Sequence, residues 1–381
     1  MTIRRLISKP LTCMRDFYSK CMYRHTVNVE YIAAAHFLAK HPQPELSQAD
    51  KDAIDSYWRK FGIRFPDYSW FEMFYGVTGT HDPRFIPDFI AFPPIYSHYN
   101  DRSCIAGWDD KNFYDSLVPT IDFPQVLAHI YRGAVYDKDW QHCSNENLDR
   151  LANSIFSEIS DSRSLIIKAA RATQAGKGVR LIEVKTPTDV KELIQQNMGS
   201  DYVLQRRLVQ SAFLSQFCST SVNIFRIMTW RHQGKIDVLS ASIRYGAEGH
   251  FTDVVYIKGE EIVHTVGVNE DGTVNGRFIS LRGREDQPEH YNNPQIPNYQ
   301  DIIEMAKRGH QKLYPFDLVG WDITLDQDNK PVCIEFNVNR PGTILYQFAN
   351  GPFAGDLTDD FLGFFLRDGN LEKHIPSKFR I

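Results

Sequence analysis

Gly320-Trp321-Asp322-Ile323-Thr324-Leu325-Asp326-Gln327-Asp328-Asn329-Lys330-Pro331-Val332-Cys333-Ile334-Glu335-Phe336-Asn337 reads as a β-hairpin. Apolar residues alternate on both arms, with Trp321, Ile323 and Leu325 on the first and Val332, Ile334 and Phe336 on the second. A two-residue type I′ turn at Asp328-Asn329, where both residues tolerate positive φ, pairs Trp321 with Phe336, Ile323 with Ile334 and Leu325 with Val332. Every apolar residue then has an apolar partner, which is how a buried face fixes register. The same register sets Asp322 directly opposite Glu335, with Asn337 two residues on and on the same face.

Like charges across a ladder destabilise it, and one carboxyl would then keep its proton. A divalent cation removes the conflict. Two carboxylates and an amide oxygen make a hard, all-oxygen donor set that suits Mg2+ carrying a nucleotide phosphate. Taken alone, the hairpin fits a solvated edge with scattered acids equally well.

The 381 residues are enough for two or three compact subdomains. A net charge of −4 carries no nucleic-acid signature. Aromatic residues make up 13% of the chain, which suits a packed core and argues against long disorder. Cys13, Cys21, Cys104, Cys143, Cys218 and Cys333 include no CxxC pair, so a zinc site is not expected. Scattered single cysteines fit a reducing compartment, and the expected location is cytoplasmic. No run of roughly 18 apolar residues predicts a membrane span, and no apolar stretch of a secretory signal follows Arg4-Arg5. The first 25 residues are basic: Arg4, Arg5, Lys9, Arg15, Lys20 and Arg24 meet only Asp16. Such a segment suits peripheral association with an anionic membrane or an acidic partner, although a solvated helix face is the plainer reading.

Residues 28–80 read as helical, with Val29, Ile32, Ala33 and Phe37 at a 3.6 period. Ser47-Gln48-Ala49-Asp50 resembles a capping box with Asp in the place of Glu. Pro83, Pro87, Pro93 and Pro94 then break the pattern. His25, His36, His41, His81 and His98 lack ligand spacing and read as ordinary surface or core residues. Lys111-Asn112-Phe113-Tyr114 opens a short helix that runs into a proline-punctuated stretch ending near Tyr136. From Asn147 the predicted order is helix to Ile159, strand 165–168, loop 169–178, strand 179–184, helix 188–197 and strand 202–205. The second half is strand-rich. Val222 to Trp230 and Ile236 to Arg244 flank a Gln233-Gly234 turn, Val254 to Val266 pairs around Gly259-Glu260, and 301–313 is helical.

Lys168 ends an apolar strand, where a fixed ammonium suits a phosphate oxygen. The loop Arg171-Ala172-Thr173-Gln174-Ala175-Gly176-Lys177-Gly178 is not a Walker A loop, because Arg171 and Gly178 stand where Gly and Ser or Thr belong. Its glycines allow backbone N–H groups to fold over phosphates, although an exposed turn is the plainer reading. Gln205-Arg206-Arg207 ends a strand whose side-chain amide and main chain can read an adenine edge. Arg226 is a charge in apolar company that wants an anion, either a substrate or a structural partner. Pro341-Gly342 would set acceptor contacts at the mouth of the site.

Taken in order, Leu165-Ile166-Ile167-Lys168, Gly176-Lys177-Gly178, Val203-Leu204-Gln205, Val222 to Thr229, Gly320-Trp321-Asp322, and Ile334-Glu335-Phe336-Asn337 with Pro341-Gly342 resemble the ATP-grasp superfamily. The likeness is nearest to the sugar-transfer-associated ATP-grasp proteins of bacterial polysaccharide assembly, and it covers roughly 106–355. It implies an α+β fold in which two subdomains, about 145–208 and 209–355, clamp ATP. Residues 1–105 would be a helical extension and 356–381 a helical tail. Lys168, Gly176, Lys177 and Gly178 would hold the phosphates. Gln205, with Arg206 and Leu208, would hold the adenine, and Gln210 would take the ribose. Asp322, Glu335 and Asn337 would hold Mg2+, and Arg226, Arg340 and Arg244 would stabilise transferring charge. Arg206-Arg207 depart from the acidic or aromatic residues usual at that place.

The implied activity is an ATP-dependent carboxylate–amine ligation through an acyl phosphate, forming an amide on a sugar acid of a capsule or O-antigen. The expected partners are therefore a small-molecule or saccharide acid and an amine, with no nucleic acid. A phosphotransferase acting on a sugar hydroxyl and a non-catalytic nucleotide-binding scaffold are the alternatives.

Overall fold

The computed structural model describes residues 3–171, 178–257, 260–367 and 370–381, with side chains for all of these except 3–19, 257 and 370. The chain divides into two compact units. One comprises Met1–Asn100, Arg282–Arg284 and Gly342–Ile381, and the other Asp101–Leu281 and Glu285–Pro341.

The strands in chain order are β1 Val126–Tyr131, β2 Ala134–Asp137, β3 His142–Cys143, β4 Ser164–Ala169, β5 Val179–Glu183, β6 Tyr202–Arg206, β7 Ile224–His232, β8 Lys235–Tyr245, β9 Val255–Ile257, β10 Glu260–Ile262, β11 His264–Val268, β12 Val274–Ser280, β13 Gly283–Arg284, β14 Leu318–Leu325 and β15 Pro331–Asn337.

The first unit is helical and aromatic. Its longest element is the helix Ile3–Lys40. Helix Gln48–Arg59 starts at the expected capping box: the Ser47 side chain accepts from the Asp50 N–H, and the Asp50 carboxylate accepts from the Ser47 N–H. Trp58, Phe71, Phe74, Phe85, Phe89, Phe348 and Phe379 are fully buried. The Gln347 amide holds both backbone groups of Ile86, at 2.7 and 2.9 Å.

The second unit carries two large antiparallel sheets and the two-stranded ribbon β9–β10. The first runs β3-β2-β1-β6-β4-β5. Helices Leu148–Glu158 and Pro187–Gln196 bury Leu151, Ile155, Val190 and Ile194 with Leu165, Ile167 and Leu204 of the sheet. Thr186 caps the second helix by accepting from the Asp189 N–H, with Pro187 in the first turn. The expected helices and strands are present in the expected order, α-β-β-α-β, and residues 172–177 of the loop between the two strands lie outside the described residues. The stretch read as proline-punctuated coil up to Tyr136 is in fact the hairpin β1–β2, and β1 pairs with β6 in the middle of the sheet. Its turn, Arg132-Gly133, has φ of 51° and 77°. Arginine is a poor turn signal, so the hairpin left little trace in the sequence.

The second sheet runs β12-β11-β8-β7-β14-β15. Helix Tyr299–His310 covers one face and buries Ile302, Ile303 and Ala306 against Phe225, Ile227, Ile243 and Trp321. The helix approaches so closely that a Cβ on Gly309 would lie 2.5 Å from the Trp321 ring. β7 and β8 join at Gln233-Gly234 as expected, with φ of 49° and 76°. Val254 to Val266 is not one hairpin: β9 and β10 pair with each other, whereas β11 joins β8 and β12. Gly259 lies outside the described residues.

The acidic hairpin forms, but not in the register first expected. Trp321 pairs with Phe336 and Asp322 with Glu335, as the alternation requires. A bulge then sets Ile323 against Cys333 and Leu325 against Pro331. Ile334 is the extra residue and is only half-buried, while Cys333 takes its place in the core. The turn is the cause. Only Asn329 has positive φ, and the Asp326 carboxylate accepts from the N–H groups of Asp328 and Lys330. This makes a three-residue loop with one left-handed residue rather than the two-residue type I′ turn, and the offset is absorbed further up the arm.

Candidate active site

The face of the second sheet turned away from helix Tyr299–His310 carries the charges. Cross-strand register sets Asp322 of β14 between Glu335 of β15 and Arg226 of β7, with Ser242 of β8 next in the row. Arg226 Nη1 lies 2.7 Å from Asp322 Oδ1. Asn337 Nδ2 donates to Asp322 Oδ2 at 3.2 Å, a bond that does not use its amide oxygen. Burial pushes the Asp322 carboxyl up to about 6 even though Arg226 and Arg244 pull it down. Arg244 is buried and pairs with Asp253, with Nη2 to Oδ2 at 3.4 Å. Arg340 is exposed beyond the hairpin. The backbone there is fixed by Gly320, where a Cβ would lie 2.9 Å from that of Pro341.

From the first sheet, β4 brings Lys168, 8% exposed, on the face opposite its helix-packed residues. Burial lowers the Lys168 ammonium from 10.5 to about 8, while Glu335 pulls it the other way. Gln205 of β6 pairs with Ile166 and is buried, and its Oε1 has no hydrogen-bond partner in the protein. A buried acceptor left open at a strand end is what an amino group of a ligand would fill.

Sequence reasoning missed Lys111. It is 6% exposed, and its Nζ lies 3.4 Å from Glu335 Oε1. A second buried lysine therefore faces the same carboxylate as Lys168. No sequence signal marks it, because a lysine at the start of a short helix is ordinarily solvated. Its neighbours are also committed. Asp110 accepts from Arg171 Nε at 2.7 Å, and Arg171 also reaches Asp201 at 2.7 Å. Asn112 bonds the buried His129 at 2.9 Å. Asp109, near Lys111 and Glu335, is pushed up to about 6 by burial.

The remaining residues are scattered. Arg206 pairs with Asp161 at 2.6 Å, and its strand neighbour Gln205 points to the opposite face. Leu208 is half-buried. The Gln210 amide donates to Cys218 O at 3.0 Å and accepts from Asn223 N at 2.9 Å, so both of its ends are engaged by backbone. Gly178 is exposed with φ of 82°, and Gly176 and Lys177 lie outside the described residues.

The donor set fits Mg2+. Asp322 and Glu335 are paired across a ladder, and burial already penalises the Asp322 charge. No group of three or more His, Cys, Asp or Glu side chains forms a ready cage among the described residues. Two carboxylates and one amide oxygen leave the other positions to phosphate and water, as Mg2+ prefers.

Residues 94–359 match the family described as sugar-transfer associated ATP-grasp. The chain belongs to that family. Its ATP-grasp fold has further likenesses among solved structures. VanG D-Ala:D-Ser ligase from Enterococcus faecalis is 13% identical with a TM-score of 0.41, covering 70% of this chain and 64% of that one. D-alanyl-alanine synthetase A from Vibrio cholerae is 14% identical with a TM-score of 0.37, over 73% and 67%. The ATP-grasp ligase PsnB, complexed with a minimal precursor, is 13% identical with a TM-score of 0.40, over 70% and 63%. This chain thus spans less than two thirds of the PsnB chain. No curated protein matches.

Proposed function

We propose that this ATP-grasp protein is an ATP- and Mg2+-dependent carboxylate–amine ligase that forms an amide on a sugar acid during capsule or O-antigen assembly. The observation that carries the reading is the pair of buried lysines, Lys111 and Lys168, set at Glu335 across the ladder from Asp322. Both ammonium groups are held in low dielectric beside the acid pair, and a fixed, buried lysine is a point charge suited to a phosphate oxygen.

In this reading the Gln205 oxygen accepts from the adenine amino group, and Lys168 and Lys111 hold phosphate oxygens. Asp322, Glu335 and Asn337 hold Mg2+, which when bound supplies Lewis-acid stabilisation of phosphate charge. A substrate carboxylate oxygen attacks the γ-phosphorus, the bond to the bridging oxygen breaks, and ADP leaves. The amine nitrogen then attacks the acyl carbon, phosphate departs with the bonding pair, and the surplus proton passes to water. Arg226 and Arg244, with Arg340 from the exposed end, stabilise charge on the transferring phosphoryl group and the tetrahedral centre. These three arginines favour an acidic acceptor. We propose residues 106–355 as the catalytic domain.

Thermal unfolding with ATP, with and without Mg2+, tests the site. Binding at a hundredfold excess over Kd adds about 2.7 kcal/mol of stability. The expected result is a Mg2+-dependent shift that Asp322→Ala abolishes; no shift in the wild type would refute the site. ADP release with sugar acids and amines, and an amide product, then tests the chemistry. Asp109 beside Glu335 favours one other reading, phosphoryl transfer to a hydroxyl with a carboxylate base. A phosphosugar product without amide would establish that reading instead.

A further inference from the structure

The helix Ile3–Lys40 is 38 residues, roughly 57 Å at 1.5 Å per residue. One side of its second half is packed. Val27 and Ala34 are fully buried, the Tyr31 carbonyl accepts from Trp70 Nε1 at 3.1 Å, and Phe37 meets Phe348 with ring centroids 5.9 Å apart. Another side leaves large apolar residues in solvent: Met22 is 45% exposed, Val29 47% and Ile32 46%. These three follow a spacing of seven and three residues, so they share one face. In the sequence the same three-and-four spacing continues back from Met22 through Tyr18, Met14, Leu11, Ile7 and Ile3.

Charge decides what covers that face. Over the first 25 residues six basic residues stand against Asp16 alone, whereas the whole chain has a net charge of −4. An acidic protein with a basic, apolar-striped end is polarised along this one element. His25 and His36 interrupt the row. Two histidines suit a wet, polar boundary better than the dry seam of a paired coiled coil. No helix among the described residues is long and apolar enough to cross a membrane.

We propose that the helix Ile3–Lys40 lies along an anionic lipid surface, its Met22–Val29–Ile32 row entering the headgroup boundary and its basic residues held by lipid charge. Each Lys or Arg near such a surface adds to the attraction, and the buried apolar area adds to this. The inference does not rest on the ligase reading, since it uses none of the nucleotide-site residues.

The test is co-sedimentation of the full chain with vesicles of phosphatidylcholine alone and of phosphatidylcholine mixed with phosphatidylglycerol. The expected result is binding to the mixed vesicles only, reversed by high salt. The double variant Val29→Glu/Ile32→Glu should bind on the order of tenfold more weakly, and so should Arg4→Glu/Arg5→Glu/Lys9→Glu. Both variants should keep the wild-type unfolding temperature and its response to Mg2+ and ATP, which separates lipid binding from the nucleotide site. Wild-type protein left in the supernatant overturns the inference, as does equal binding to neutral vesicles. Unchanged binding by Val29→Glu/Ile32→Glu overturns it too. A solution dimer that this variant dissolves, without vesicle binding, assigns the face to a second copy instead.

Discussion

Replacing Lys168 by methionine should make the ligand-free protein more stable. Lys168 is 8% exposed, and its ammonium is lowered from 10.5 to about 8, chiefly by burial. At about 1.4 kcal/mol per pKa unit, the charged form costs the native state roughly 3 kcal/mol at pH 7. Methionine keeps most of the volume and none of the charge, so Lys168→Met should recover a large part of that. The sign with pH follows from linkage. Between about 8 and 10.5 the unfolded chain binds a proton that the native protein lacks, so wild-type stability rises with pH across that window. The variant has no such group, and its advantage should be full below pH 8 and vanish towards pH 10.5. Urea unfolding at pH 7 and at pH 10, in EDTA without nucleotide, measures both numbers. The same variant should lose the ATP-dependent shift. A variant equal to or less stable than wild type at pH 7 would refute the reasoning, because Glu335 would then outweigh burial.

Nucleotide binding should draw protons. At a pH just above 8, Lys168 is largely neutral in the free protein, and a phosphate beside it would restore its charge; calorimetry in two buffers of different ionisation heat should detect uptake that Lys168→Met removes. Gln210→Ala should cost about 1–2 kcal/mol, by stranding the Asn223 N–H, and leave ATP affinity unchanged; a large loss of affinity would restore Gln210 to the ribose. Gly309→Ala should cost about 1–3 kcal/mol in urea unfolding, since the new methyl would lie 2.5 Å from Trp321.

Local pattern made much of this protein legible in advance. The 3.6 period of Leu148, Leu151 and Ile155, the Ser47–Asp50 box and the Gln233-Gly234 turn are short-range signals, and each produced its element. The strict alternation on the two arms of the acidic hairpin was enough to put Asp322 opposite Glu335. It was not enough to fix the pairing nearer the turn, because a single left-handed residue at Asn329 chose the loop type, and pattern alone does not specify that. Strand β1 escaped notice for a different reason. It is a central strand held by pairing on both edges, so its neighbours rather than its own turn residues decide its conformation.

By itself the sequence determined the periods, the caps, the order of helices and strands from 147 to 206 and the acid pair, since all of these depend on residues close together in the chain. Only the tertiary structure decided which charges meet. Lys111 and Glu335 are far apart in sequence yet 3.4 Å apart in space, and Asp322 meets Arg226 at 2.7 Å only because β14 lies beside β7. The loss of water at those meetings is also a property of the packed fold. It moves Lys168 and Asp322 away from their ordinary titration, and no reading of local pattern reports burial of that kind.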